Sequence, residues 1–461
     1  MVHHMERRML TAVKLGGLLA AVACLGLVGA FANAAGPAKG PIEIAQAEPM
    51  PPGFQVVNTE TQGPVFGDPQ GKSMYIWRSV PLRQGKVGED PNKPSCNNER
   101  ITMSDGQYSI YGPALLPEAD KRPTCTTVWP PVLAAVDAKP VGKWTIVTRD
   151  DGAKQWAYDN YALYTSNLDL RPGDVNGGKR ATPPRQVNVG EPAREAIAPA
   201  PAVPPGIDVT VTATGRLVTT DKGFTVYTYD KDSATKSNCD GACAETWKPV
   251  IAPTFSRPQS GWTTIERAPG VKQWVFRGKP LYTYQLDREI RGLDGQDVPG
   301  WHAAYTQLAP QPPSEFTVRD TLAGQVLADK NGKTIYIYWC YEDALDQLAC
   351  DHPDAPQAYR IAICGAGDAD RCAKTWPVVR AADNAVSDSR VWGIAYVNVR
   401  TGKWAKQGEA DAARIWTYRG RPLYTYNGEK AGEVLGDEFG EHDQNRNTFK
   451  AFYMQSLNSY R

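Results

Sequence analysis

The sequence predicts an all-β protein of three tandem, disulfide-tied repeat units built from aromatic hairpins. The first observation is a repeated sentence. Residues 272–284 read KQWVFRGKPLYTY, residues 154–166 read KQWAYDNYALYTS, and residues 414–426 read RIWTYRGRPLYTY. A single catalytic centre needs its residues once, whereas a repeated scaffold needs its core residues in every copy. The second is punctuation: 42 Gly and 37 Pro suit short strands and turns. The third is the choice of rings. Tyr (21) and Trp (13) outnumber Phe (10), and these amphipathic rings suit half-buried sheet faces. Six half-repeats closed into a propeller-like ring are the alternative architecture.

The repeats extend beyond the quoted block. In the middle copy Phe224-Thr-Val-Tyr-Thr-Tyr-Asp-Lys-Asp232 reads as a strand. Cys239 and Cys243 follow, then Trp247 and Pro249, then Trp262-Thr-Thr-Ile-Glu-Arg267, then the block. The first copy answers with Lys72–Trp77, Cys125 and Trp129, and Trp144–Arg149. The third answers with Lys333–Tyr338, Cys372 and Trp376, and Trp416. A Cys stands four residues before a Trp each time. From that Trp to the block Trp the interval is 27 residues in the first two copies and 40 in the third, which places an insertion around 403–413. Within each copy a Tyr-x-aromatic unit occurs in both halves: Tyr227/Tyr229 with Tyr282/Tyr284, Tyr336/Tyr338 with Tyr424/Tyr426, and Tyr75/Trp77 with Tyr164 and a degraded Ser166.

The length of 461 residues allows about three domains. The expected division is a signal peptide over 1–34, a disordered lead-in over 35–52, and unit 1 over 53–178. A Pro-rich linker over 179–208, unit 2 over 209–308, a short linker over 309–318 and unit 3 over 319–461 complete it. Arg7, Arg8 and Lys14 precede an apolar run, and Ala32-Asn33-Ala34 fits peptidase cleavage. The expectation is an exported protein, periplasmic or secreted, with no transmembrane segment after cleavage. Lipid anchoring through Cys24 is a minor alternative. The formal charge of +1 offers no footprint for nucleic acid.

In the block, Trp274 and Phe276 fall on one face of a strand and Gln273 and Val275 on the other. Arg277–Pro280 breaks the run, and Leu281–Tyr284 is expected to return as the second strand of a hairpin with an aromatic face. Eight cysteines remain after cleavage: Cys96, Cys125, Cys239, Cys243, Cys340, Cys350, Cys364 and Cys372. An even number in an exported chain reads as disulfides. Cys239–Cys243 and Cys96–Cys125 are the expected bridges of the first two copies. The four cysteines of the third leave three pairings open.

These residues carry a resemblance. The run 225–232 with Tyr227, Tyr229 and Asp232, then Cys239, Cys243 and Trp247, then Trp274, Tyr282, Tyr284 and Asp287, ending in Trp301-His302, resembles the bacterial secreted repeat of unknown function. Its members are described as predicted lipoproteins with a Tyr-x-aromatic-x-x-Asp motif. The motif carboxylate stands at Asp232, Asp287 and Asp169, and is missing at Val80, Tyr341 and Glu429. The resemblance implies an exported β-rich module and brings no reaction.

Catalytic signals are sparse. Three His remain after cleavage, His302, His352 and His442, and none recurs between copies. There is no C-x-x-C-H, G-x-S-x-G, H-E-x-x-H or P-loop sequence. Asp287, Asp294 and Asp297, and Asp169 and Asp174, are read as turn initiators over a Ca²⁺ loop. The expectation is a non-enzymatic module with no cofactor, metal or catalytic residue. Its partner is an unknown exported protein or small ligand, met through loops that differ between copies, such as 78–124 and 339–371. An accessory of a redox or metal-handling system is the alternative.

Overall fold

The structure, a computed structural model, describes residues 48–82, 85–100, 123–177, 194–339, 352–354, 356–441 and 446–456. The signal segment with Cys24, most of the proline-rich stretch, Tyr341, His442, Cys340 and Cys350 lie outside them. The described chain is mostly β, in separate antiparallel sheets of two to six strands. No closed barrel or propeller forms among these residues. The ring alternative therefore does not hold among the described residues.

Three hairpins share one design. Gln55–Thr59 pairs with Gly63–Gly67, Ile207–Thr212 with Gly215–Thr220, and Phe316–Thr321 with Gly324–Asp329. At each tip the final Thr donates its hydroxyl to the carbonyl of the Gly that opens the return strand. The distances are 2.9 Å from Thr59 to Gly63, 2.8 Å from Thr212 to Gly215 and 2.7 Å from Thr321 to Gly324. Gly215 has φ +141°, and a Cβ there would stand 2.4 Å from the Gln307 carbonyl. Only Gly fits.

The repeated block forms the second strand of another hairpin. Trp144–Thr148 pairs with Lys154–Tyr158, Trp262–Ala268 with Val271–Phe276, and Trp392–Asn398 with Ala412–Tyr418. The leading Trp of each faces an aromatic ring across the ladder. Centroids are 4.9 Å apart for Trp144–Tyr158, 4.5 Å for Trp262–Phe276 and 4.8 Å for Trp392–Tyr418. Such cross-strand pairs contribute about 0.2–1 kcal/mol each. Most of the extra residues of the third interval lie in the connection 399–411, where the middle hairpin has only Pro269 and Gly270. After the block strand come two left-handed residues: Asp159-Asn160 (φ 54° and 69°), Arg277-Gly278 (47° and 78°) and Arg419-Gly420 (48° and 69°). This is a type I′ turn, whose twist matches that of the strands.

The return strand differs from expectation. Lys279–Pro280 pairs back onto Val275 and Phe276, the Leu281 N–H reaches the Trp274 carbonyl (3.0 Å), and the pairing stops there. Tyr282–Tyr284 crosses to a different sheet, between Val226–Tyr229 and Trp247–Pro249. Alternation explains it, because successive side chains point to opposite sides. Leu281 enters the core of Trp262, Trp274 and Phe276, while Tyr282 enters that of Trp247 and Trp301. The block is buried on both faces: Gln273 and Val275 are 0 % exposed and Trp274 is 1 % exposed.

Short helices tie these sheets to sulfur. Cys125–Val128, Ala242–Thr246 and Ala369–Thr375 each end on a Trp whose N–H binds the carbonyl of the Cys four residues back. The bridges are Cys96–Cys125, Cys239–Cys243 and Cys364–Cys372. The last selects among the pairings left open by the sequence. A helix not anticipated, Pro356–Gly365, carries Cys364 and the buried Arg360. Loop-closure entropy ranks the first two bridges. The sequence separation is 29 for Cys96–Cys125 and 4 for Cys239–Cys243. Removing them is expected to cost about 3.6 and about 2 kcal/mol respectively. Urea unfolding of the paired Cys→Ser variants checks the order.

The proline-rich stretch is not spacer to its end. Glu195–Ala196 pairs with Tyr75–Ile76 and so belongs to the first group of sheets. Proline density hid a strand only two residues long.

Candidate functional site

The motif residues gather around the middle sheet. Tyr227 stands opposite Tyr282 in the ladder. Each phenol donates to the carboxylate that follows the other strand. Tyr227 Oη lies 2.8 and 3.0 Å from the Asp287 oxygens, and Tyr282 Oη lies 2.6 Å from Asp232 Oδ2. The Tyr-to-Asp spacing therefore does not make a local pair. It puts each Asp in the turn beyond its own strand, at the tip of the neighbour's ring.

The arrangement recurs with substitutions. Tyr75 and Tyr164 bridge each other, and their hydroxyls donate to Asp169 (2.6 Å) and Glu89 (2.7 Å). Tyr336 stands opposite Tyr424 and donates to Glu429 at 2.6 Å. The motif acid counted as missing at Glu429 is thus present with one more methylene, and Glu89 stands in for the one absent at Val80. Tyr424 Oη has no hydrogen-bond partner among the described residues.

Burial dominates the electrostatics. It pushes Asp287 up to about 7, against the opposing pull of the Tyr227 hydrogen bond. It pushes Asp169 up to about 7 as well, against Tyr75 and the Asn176 N–H. Burial also raises Glu429. It drives Tyr282 up to about 12, with the Asp232 hydrogen bond adding to it. Carboxyls poised near neutrality are a usual mark of acid–base sites. Here Asp169 is 1 % exposed, with one oxygen on a phenol and the other on a backbone N–H.

A stack of rings runs alongside. Tyr229 lies on Trp301 (4.4 Å), Trp301 on Trp247 (3.6 Å) and Trp247 on Tyr284 (4.2 Å). In the third group Trp376 lies between Phe449 (3.7 Å) and Tyr426 (4.6 Å). In the first, Arg194 takes the place of a ring. Its guanidinium sits 4.0 Å from the Trp77 centroid and 4.5 Å from that of Trp129. Register explains the position. Tyr75 pairs with Ala196 and Ile76 with Glu195, which carries Trp77 to Arg194 as Tyr229 is carried to Trp301. A flat cation fills a slot made for a flat ring.

Sequence reasoning missed a buried polar bracket. Arg267 donates to Gln273 Oε1 (2.9 Å) and the Cys239 carbonyl (2.7 Å), and Gln273 donates to the Leu281 carbonyl (2.7 Å). Arg149 likewise reaches Gln155 (2.6 Å) and the Cys96 carbonyl (2.6 Å), and Gln155 reaches the Leu163 carbonyl (2.7 Å). The signal was available: a Gln before the block Trp twice, each with an Arg six residues upstream. The third copy has Ile415 at that position. There Arg360 approaches the disulfide instead, 2.9 Å from Cys372 Sγ.

Other candidates sit apart. Trp274 belongs to a different core cluster from Trp247 and Trp301. His302 is exposed, with Nε2 3.0 Å from Asp230 Oδ1. Asp294 accepts from the Arg288 N–H and guanidinium, and Asp174 from the Leu170 and Arg171 N–H groups, as turn residues do.

The raised carboxyls predict a pH dependence. In the unfolded chain Asp titrates near 3.9. A folded value near 7 means that folding favours the protonated form. Its contribution is full below pH ~4 and is lost as pH rises through 7. For Asp169 the loss is up to roughly 4 kcal/mol. Urea midpoints are therefore expected to fall between pH 5 and 8, and Asp169→Asn should flatten that slope.

Residues 209–251 match the profile of a family described as a secreted repeat of unknown function. The matched segment carries Tyr227, Asp232, both cysteines of the Cys239–Cys243 bridge and Trp247. No curated protein and no solved structure matches the chain.

Proposed function

We propose that this chain is an exported, non-enzymatic protein of three units, 53–178, 209–308 and 319–461, that acts as a binding module outside the cytoplasm. The observation that supports it is the use made of the repeated residues. Motif phenols bind motif carboxylates, block tryptophans fill cores, and the Arg–Gln bracket binds backbone. The chemistry that recurs is spent on holding the units together. What remains for a partner is exposed and differs between copies, such as Val136 (87 %), Leu170 (84 %) and Val386 (86 %). The matched family, described as secreted, agrees with export.

The test is a photo-crosslinking side chain placed at Val136 or Val386 in the exported protein in cells. The reading expects an adduct with another exported molecule from at least one site. Finding none from either would count against it. A redox accessory is the second reading, favoured by the four-ring stack from Tyr229 to Tyr284. Elemental analysis and an absorption spectrum of the purified protein separate the two. A stoichiometric metal or chromophore supports the accessory, and a colourless, metal-free protein supports the module.

A further inference from the structure

We infer that the third unit binds a small carboxylic acid, whose carboxylate meets the Tyr424 hydroxyl where a side-chain carboxylate serves in the other two copies. The inference rests on the three-unit division and goes beyond the partner surface described above. Tyr164 and Tyr282, the counterparts of Tyr424, donate to Glu89 (2.7 Å) and Asp232 (2.6 Å). The third copy has Tyr341 at the position of Asp232. Tyr424 is 1 % exposed, and its hydroxyl has no hydrogen-bond partner among the described residues. A buried hydroxyl left unpaired is costly, so such a group points to something bound. The nearby arginines differ in the same way. Arg149 pairs with Asp151 at 3.6 Å and Arg267 with Asp240 at 2.7 Å. Arg360, also 1 % exposed, donates only to neutral groups among the described residues. They are Gln357 Oε1 (2.7 Å), the Thr401 carbonyl (3.1 Å) and the sulfurs of Cys372 (2.9 Å) and Cys364 (3.8 Å). Buried charges are ordinarily paired. The Arg360 guanidinium carbon lies 5.2 Å from the centre of the Tyr424 ring. One phenol and one cation thus lack an anion side by side.

Tyr424 also lines a cleft. Part of its ≈ 420 Å³ is open to solvent, so a ligand can enter. The walls include Tyr338, Pro353, Pro356, Gln357 and Arg421, and no acidic side chain lines it among the described residues. Gln357 is buried and accepts from Arg360 through Oε1, which leaves its NH2 group as a donor. A carboxylate bound here would accept from the Tyr424 hydroxyl and the Gln357 NH2, in the field of Arg360 and Arg421. Bonds to a charged acceptor are the strong ones. The prolyl and tyrosyl walls suit an apolar body on the acid.

Saturation-transfer difference NMR on the full chain tests this, with benzoate as the probe and acetate as its competitor. The expected result is saturable transfer to benzoate that acetate displaces. Benzamide, of the same shape and uncharged, should bind at least tenfold more weakly, and so should benzoate to Tyr424→Phe. Without ligand, Tyr424→Phe should melt no lower than the parent, because removing an unpaired buried hydroxyl costs nothing, whereas Tyr282→Phe should melt lower. That contrast separates a lost site from a lost fold. No transfer to benzoate, the result expected if water alone meets the hydroxyl, would overturn the inference. Equal binding by Tyr424→Phe, or a lower melt for it, would do the same. An adduct from Val136 or Val386 would leave the proposed function standing in either case.

Discussion

Trp274→Ala is expected to lower the free energy of unfolding by about 3–5 kcal/mol, as large-to-small changes at buried rings do. Trp274 is 1 % exposed and packs with Val218, Val226, Trp262, Phe276 and Leu281. Its ring meets Trp262 edge-on at 6.3 Å, which adds directional contact to the area buried. Removing it opens a cavity that the flanking strands cannot close, because both faces of that strand are covered. Phe255→Ala, at a ring 93 % exposed, should change stability by no more than about 0.5 kcal/mol. Urea unfolding followed by far-UV circular dichroism checks both. An unchanged midpoint for Trp274→Ala would mean that the repeated block is not core.

The second large effect concerns the crossed phenol–carboxylate pairs. Asp287→Ala removes the carboxylate acceptor of both the Tyr227 hydroxyl and the Gly295 N–H. A loss of about 1–3 kcal/mol is expected. Tyr227→Phe combined with it in a double-mutant cycle should show a coupling of about 0.5–3 kcal/mol. The pair Tyr227 and Asp232 lies within one motif, yet Asp232 bonds Tyr282 instead. Its coupling should be small. Strong coupling within one motif and none across would contradict the crossed arrangement.

The contrast between these two pairs shows how far the sequence could be read. Spacing alone revealed the repeated block, the Cys-to-Trp step and the Cys239–Cys243 bridge, because each is local, and matching the first copy to the second gave Cys96–Cys125 across 29 residues. The Tyr227–Asp287 partnership spans 60 residues, and periodicity within a strand carries no information about which acid lies at the ring tip. The crossing of Tyr282–Tyr284 into another sheet was hidden for the same reason. Leu281 and Tyr282 look like neighbours on one strand, and only the packing shows that they serve different cores. Substitution by shape also escaped notice. Arg194 in a ring's slot and Glu429 in an aspartate's place keep the geometry while changing the letters. The bracket of Arg267 and Gln273 was visible as repetition, but polar residues in an alternating strand read as solvent-facing until their burial is known.

Burial of the recurring rings underlies every expectation above, and hydroxyl-radical footprinting with mass spectrometry measures it residue by residue. The native protein should show Trp156, Trp274 and Trp416 protected, with Phe255 and Phe224 labelled readily, and urea should abolish the difference. Labelling of those three tryptophans in the native protein at the rate of Phe255 would place them at the surface and contradict the account.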